Sequence, residues 1–352
     1  MRDKESGFGR NPLQTVSMSE LYENVYPGKM PVIDGLLYGG TYLFVGAPKI
    51  GKSFLMAQNA YHVSTGMPLW DFPVHKGTVL YLAMEDDFSR LQERMYRMFG
   101  TESAENLHFS IASVRLNEGL DEQLADFIEQ YPDTKLIIID TLQRVRNLSR
   151  EQYSYSSDYD AITGLKRFTD RTGICLLLVH HTRKQSADDC FDMISGTNGL
   201  LGAADGAFLL QKVKRTGNAA ILEVSGRDQQ DQKLYLARDP EKLVWTLDHA
   251  ETELWREKPD PILGAVVKML STDNPEWTGS PTELANRLGM ELKANALTTK
   301  LNIHAGKLLN EYGIRYENRR THSGRWVIVD DSVFICNQVA NRIRGNVVQF
   351  IQ

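Results

Sequence analysis

The stretch that most constrains this chain is residues 41–53, Thr-Tyr-Leu-Phe-Val-Gly-Ala-Pro-Lys-Ile-Gly-Lys-Ser. An apolar run from Tyr42 to Val45 leads into Gly46-Ala47-Pro48-Lys49-Ile50-Gly51-Lys52-Ser53, and Phe54 to Ser64 then reads as a helix. Strand, loop, Lys-Ser and helix in that order are the setting of a phosphate-binding loop. Gly46 and Gly51 let the backbone curl until its N–H groups face a triphosphate. The helix adds its positive N-terminal end. Lys52 is placed to reach the β- and γ-phosphates, the Ser53 hydroxyl to hold Mg²⁺, and residues 46–54 as a whole to contact the nucleotide. A glycine-rich turn matching by chance would lack this ordered setting.

The 352 residues suit one large domain and a smaller one, and 42% apolar content supports a sizeable core. A net charge of −5 gives no global attraction to nucleic acid, so such binding needs a local patch. Cys175, Cys190 and Cys336 are too scattered for a disulfide framework or a cysteine-rich zinc site. Cys175 sits in an apolar run as a small hydrophobe. No signal peptide and no membrane-length apolar run is read, so a cytoplasmic protein off the membrane is expected.

Residues 1–30 read as a polar arm with one short helix near Ser19–Tyr26. Strands are expected at Thr78–Met84, Leu107–Ala112, Leu136–Asp140 and Ile174–Val179. Helices are expected near Phe88–Phe99, Leu120–Tyr131 and Tyr159–Thr172. The unbroken run Leu136-Ile137-Ile138-Ile139 fits a strand buried on both faces of a parallel sheet. Ala207–Val213 and Ala219–Ser225 follow as closing strands with an antiparallel look. This alternation gives an α/β domain over 31–257. Lys258-Pro259-Asp260-Pro261 marks a boundary. Helices at Ile262–Leu270, Pro281–Leu288 and Ala294–Tyr312, with two strands at Ile314–Asn318 and Arg325–Val329, make 258–331 a winged helix-turn-helix. Residues 332–352 are left as a tail.

Asp140 ends a buried strand, where a carboxylate faces the ligand crevice and can hold Mg²⁺. Glu85 ends another and can orient or deprotonate the attacking water, whereas Asp86 and Asp87 fit the start of a helix; position alone does not choose among the three. His180 and His181 end a third strand, and alternation lets one of them face the crevice; His181 is preferred as a γ-phosphate sensor. Arg227 follows a strand and Gly226, beside a basic hairpin of Lys212, Lys214 and Arg215. A cation from a neighbouring subunit can stabilise transition-state charge there. Loops 142–157 and 182–194 carry Arg144, Arg146, Arg150, Tyr153, Tyr155, Arg183 and Lys184, which suit single-stranded nucleic acid. The C-terminal part holds more Lys and Arg than Asp and Glu, with Arg315, Arg319, Arg320 and Arg325 at the wing and Lys293, Lys300 and Lys307 along the third helix. That arrangement suits duplex DNA, or a protein partner.

Together these residues resemble the RecA-like P-loop ATPases of the RepA type, which include hexameric replicative helicases of plasmids and related mobile elements. The resemblance covers about residues 31–246. It rests on Val45 to Ser53, Tyr81-Leu82-Ala83-Met84-Glu85-Asp86, Leu136 to Thr141, Leu178-Val179-His180-His181-Thr182 and Val224-Ser225-Gly226-Arg227-Asp228. It implies a RecA-like core with a mostly parallel central sheet, Lys52 and Ser53 on phosphates and Mg²⁺, Glu85 as catalytic carboxylate and Asp140 on Mg²⁺. A histidine of the pair becomes the sensor, and Arg227 a finger in trans. A weaker match at Trp277 to Leu284 and Asn318-Arg319-Arg320 implies the winged-helix unit. About 30 polar residues precede the core, so loading through an N-terminal primase-binding domain is not expected. The resulting expectation is an ATP- and Mg²⁺-dependent homo-hexameric DNA helicase, with a replication partner on the winged helix. Its rivals are a recombinase-like or regulatory ATPase, an ATP-switched initiator that binds duplex DNA, and an assembly module without hydrolysis.

Overall fold

The structure is a computed structural model that describes residues 13, 15–26, 28–146, 155–182, 198–214, 217–227, 229–251, 260–270, 274–289, 292–321 and 324–331. Arg150, Tyr153, Arg183, Lys184, Cys190, Arg215 and the 332–352 tail lie outside them. The chain divides into two compact units, Lys29–Glu257 and Met1–Gly28 with Lys258–Gln352.

In chain order, α1 (Met18–Glu23) precedes a small hairpin, β1 (Pro31–Ile33) and β2 (Leu37–Tyr38). The large unit continues with β3 (Gly40–Gly46), α2 (Lys52–Thr65), β4 (Thr78–Ala83), α3 (Phe88–Phe99), β5 (Leu107–Ser110), α4 (Leu120–Gln130), β6 (Thr134–Asp140), α5 (Leu142–Val145), α6 (Tyr155–Thr172), β7 (Cys175–His181), α7 (Asn198–Ala203) and β8 (Gly206–Lys212). It closes with β9 (Ala219–Gly226), β10 (Gln229–Arg238) and β11 (Trp245–Ala250). These form one sheet in the order β11-β10-β9-β8-β3-β7-β6-β4-β5. All pairings from β8 to β5 are parallel, and those of β9, β10 and β11 are antiparallel. The closing pair is therefore mixed: β8 runs parallel to β3, and the reversal begins at β9.

Alternation divides the core strands between two apolar layers. Phe44, Tyr81, Ile138, Leu177 and Val179 face α2 and α3, while Leu43, Val45, Leu82, Ile139 and Leu178 face α4, α5, α6 and α7. Both faces are covered, which explains why β6 and β7 read as unbroken apolar runs. Two elements depart from the expected loop 142–157. Leu142 and Val145 are wholly buried in a short helix, and α6 begins at Tyr155.

A polar network ties the amino ends of β3 and β8 together. Asp205 is 3% exposed and accepts from Lys166 Nζ (2.7 Å), Lys29 Nζ (3.0 Å) and the Thr41 N–H (2.9 Å). Burial pushes its carboxyl up, but those donors outweigh it and hold the pKa below the ordinary range. The network's stabilisation is therefore lost as pH falls through that lowered pKa. Asp205→Ala would remove the buried anion that Lys166 and Lys29 share and the acceptor of the Thr41 N–H, although Lys166 keeps Asp170 at 3.1 Å. The expected cost is about 3 kcal/mol in urea unfolding at neutral pH; a shift under about 0.5 kcal/mol would deny the network a structural role.

The second unit contains α1, α8 (Pro261–Met269), β12 (Glu276–Gly279), α9 (Pro281–Leu288), α10 (Ala294–Tyr312), β13 (Ile314–Thr321) and β14 (Gly324–Asp331). Ser280 caps α9 in a reciprocal box with Glu283. The sheet has three strands, β12-β14-β13, not two. Residues 276–279 pair with Val327 to Asp330, a long-range partnership that four residues do not announce. Leu263, Val266, Leu284, Leu297, Leu301 and Val327 form its core. The N-terminal arm belongs here: Asn302 Nδ2 donates to Tyr22 O at 2.8 Å, and Glu23 pairs with Arg325 at 2.8 Å. Of the arginines expected as a basic wing, Arg315 and Arg319 both bond Glu317 and Arg325 holds Glu23, so charge there is partly neutralised.

Candidate nucleotide-binding and hydrolysis site

Four parallel strands end side by side, and their register positions the site. Gly46 pairs with His181, Asp140 with Val179, and Ala83 with Asp140. Asp140 therefore shares a sheet face with Val179 and His181, the face that carries α2. His180 is buried on the opposite face.

The loop's shape depends on its glycines. Gly51 has φ +110°, which side chains rarely adopt, and a Cβ there would meet Trp245 Cζ2 at 3.0 Å. A Cβ on Gly46 would stand 2.8 Å from the Leu210 carbonyl oxygen. Lys49 also sits left-handed, at φ +63°. Gly51 is the N-cap of α2 and offers no side-chain acceptor, so the first-turn N–H groups face outward for an anion.

Lys52 is 6% exposed. Its Nζ donates to Gly46 O (2.8 Å) and Ala47 O (3.1 Å) and lies 3.2 Å from His181 Nδ1. Burial lowers its pKa to about 8, against the raising pull of Asp140 and Glu85. An ammonium only donates, so Nδ1 accepts and the ring hydrogen of His181 sits on Nε2. Burial, with help from Lys52, lowers the pKa of His181 and favours this neutral form.

Asp140 is 5% exposed and accepts from the Tyr81 hydroxyl at 2.9 Å. Burial raises its pKa, partly offset by hydrogen bonds from Ser53 and Tyr81. Burial and Asp140 push the Tyr81 hydroxyl well up, so it stays a donor. Ser53 and Asp140 thus hold two hard oxygen donors together. Mg²⁺ takes one or two protein oxygens and completes its shell with water and phosphate oxygens, so the pair fits it. Among the described residues, no group of three or more His, Cys, Asp or Glu converges as an ion cage.

The three consecutive acids have different surroundings. Asp86 is paired with Arg94 (2.7 Å) and Arg90 (3.3 Å) and is nearly buried. Asp87 caps α3 by accepting the Arg90 N–H at 2.8 Å. Glu85 is half-exposed beside the site, with Thr141 Oγ1 donating to it at 3.3 Å and Arg144 Nε at 3.8 Å. Arg144, read from the sequence as a cation for single-stranded nucleic acid, stays largely exposed and also lies near this carboxylate.

Arg227 is not brought to its own chain's phosphate loop. It follows β9 at the end where Gly226 pairs with Gly206, whereas the loop leaves β3 at the level of Leu210. Its Nη2 donates to Gly202 O at 2.5 Å and its N–H to Asp205 O at 2.9 Å. Tyr81, Thr141 and Arg144 also border the site; the sequence reading gives Tyr81 and Thr141 no role there and assigns Arg144 to nucleic acid. Tyr81 was within reach, since it lies two residues before Ala83 on the face that register gives to Asp140.

The pattern of the AAA domain family matches residues 10–187. This is half of the chain, and the chain belongs to that family. Similar solved structures include the ATPase domain of G40P, at TM-score 0.50 and 12% identity, covering 59% of this chain and 84% of that one. Another is the structure of a DnaB-like replicative helicase and its interactions with primase, at TM-score 0.52 and 12% identity, covering 63% of this chain and 64% of that one. No curated protein matches the chain. At such identity the likeness concerns the fold, which is a RecA-like P-loop core with a large, mostly parallel sheet. Among the described residues, no helix is long and apolar enough to cross a membrane.

Proposed function

We propose that this chain is an ATP- and Mg²⁺-dependent hydrolase of the RepA type. It assembles as a homo-hexameric ring, moves on single-stranded DNA and parts a duplex during replication of a plasmid, phage or mobile element. The observation that carries this is the convergence of Lys52, Ser53, Asp140 and His181 on one loop, with Glu85 on the adjoining strand end. Loop N–H groups hold the phosphates, and Lys52 exchanges the Gly46 and Ala47 carbonyls for β- and γ-phosphate oxygens. Ser53 and Asp140 hold Mg²⁺, which when bound neutralises charge on the β- and γ-phosphates. Glu85 orients the water and takes its proton, with Thr141 and Arg144 fixing the carboxylate. His181 donates Nε2–H toward the γ-phosphate, and Arg227 enters from the neighbouring subunit.

We assign 1–30 as an arm, 31–257 as the motor, 258–331 as a winged helix that binds duplex DNA or a replication partner, and 332–352 as a tail. The compact core of three helices and a small antiparallel sheet supports the winged-helix assignment. The protein works in the cytoplasm. The test is steady-state ATP hydrolysis with no DNA, single-stranded DNA and duplex, at one low salt. Strong stimulation by single strands, weakening as salt rises, is expected. Hydrolysis indifferent to DNA would replace the motor with a regulatory ATPase. Tight duplex binding with a sequence preference and little stimulation would replace it with an initiator.

A further inference from the structure

Arg238 borders the phosphate loop and is not used by the chemistry above. It ends β10, and its guanidinium stacks on the Phe54 ring, 4.2 Å from the centroid, with the Trp245 ring at 5.7 Å. A Cβ on Gly51 would stand 3.4 Å from Arg238 Nη1, so the cation lies against the last glycine of the loop. Its Nε donates to Leu243 O at 3.3 Å, which together with the two rings fixes the guanidinium plane. Among the described residues no carboxylate pairs with Arg238. Among the described residues Arg97, too, bonds carbonyls, those of Glu241 (2.7 Å) and Pro240 (3.4 Å). Burial and Arg97 together push the Arg238 pKa down.

Arg238, Lys52 and the positive end of α2 thus border one loop, and among the described residues no carboxylate is bonded to Arg238. A half-buried cation kept in this way suits a site whose anion comes with the ligand. Direction along the loop names the anion. The loop cradles the α- and β-phosphates and Lys52 reaches the β and γ; Lys52 Nζ lies by Gly46, Ala47 and His181, whereas Arg238 lies by Gly51 and Phe54, so the α-phosphate is the one left to Arg238. We propose that Arg238 binds the α-phosphate of the nucleotide held by its own chain's loop. This rests on the phosphate-loop reading and adds a cation in cis, distinct from Arg227 in trans.

ATP and ADP share the α-phosphate, and nucleoside diphosphates carry it whatever their base. Titrating the full-length chain with ATP, ADP, GDP and CDP therefore tests the contact. Arg238→Ala should weaken all four by about tenfold or more, and by the same factor. Arg238→Lys should recover part of the loss. Arg238→Gln, which keeps the planar group without charge, should bind as poorly as the alanine variant while melting like the wild type. Unchanged affinity in Arg238→Ala would overturn the proposal. So would a loss confined to ATP, which would place Arg238 on the γ-phosphate, or one confined to adenine nucleotides, which would place it on the base. A wild-type chain that binds none of the four would instead overturn the phosphate-loop reading itself.

Discussion

Lys52→Met should reduce ATP hydrolysis to background and leave the nucleotide-free protein at least as stable as the wild type. The first effect follows from losing the point charge on the β- and γ-phosphates. The second follows from burial. Lys52 is 6% exposed and its pKa falls from 10.5 to about 8, so holding its charge in the folded chain costs on the order of 3 kcal/mol. Methionine fills a similar volume without that penalty, although the Gly46 and Ala47 carbonyls lose a donor. Between about 8 and 10.5 the unfolded chain holds a proton on Lys52 that the folded chain has released, so wild-type stability from this group rises with pH there. In Lys52→Met that rise is absent. Thermal melts across this window, with and without ATP, read both effects. ATP at about 100 times its Kd should stabilise the wild type by about 2.7 kcal/mol and the variant by nothing. Near-wild-type turnover in Lys52→Met would remove the phosphate-loop assignment.

Arg227→Ala should bind ATP normally and hydrolyse it about 10³–10⁵-fold more slowly, the range typical of an arginine finger. The fold places Arg227 at the opposite end of the sheet from its own chain's loop, so a contribution in cis has no geometric support. Glu85→Ala should be equally inactive, because the water then loses its base. The two variants are complementary. A site with an intact Glu85 in one subunit and an intact Arg227 in the next exists only in mixed rings. Mixing two inactive proteins should therefore restore measurable turnover. Activity that stays at background at every mixing ratio would count against the trans role, and normal turnover in Arg227→Ala would remove any role. Arg227 is exposed, so its loss should hardly move the melting temperature.

Much of the candidate site is legible without coordinates because its information is local. Gly46 to Ser53 carries its own loop geometry, and the apolar runs before Asp140 and His181 mark buried parallel strands whose carboxyl ends face a crevice. Helices such as Phe88–Phe99, Pro281–Leu288 and Ala294–Tyr312 begin and end where their periodicity and caps say. Other features lack a local signal. β10 opens with Gln-Gln-Asp-Gln-Lys and gives no apolar alternation, so the sheet edge that brings Arg238 and Trp245 to Gly51 is invisible until it pairs. β12 is a strand only because β14 is there to receive it.

The sequence by itself determined that a phosphate loop, a buried aspartate, a run of acids and a pair of histidines end neighbouring strands of an α/β core. Only the tertiary structure set the surroundings of each. The register of β7 against β3 turns His181 toward Lys52 and His180 away. Arg94 and the first turn of α3 claim Asp86 and Asp87 and leave Glu85 beside the loop. The physical reason is the same in each case. Residue type and spacing specify what a side chain can do, whereas its partners come from strand register and helix docking, where residues far apart in the chain meet.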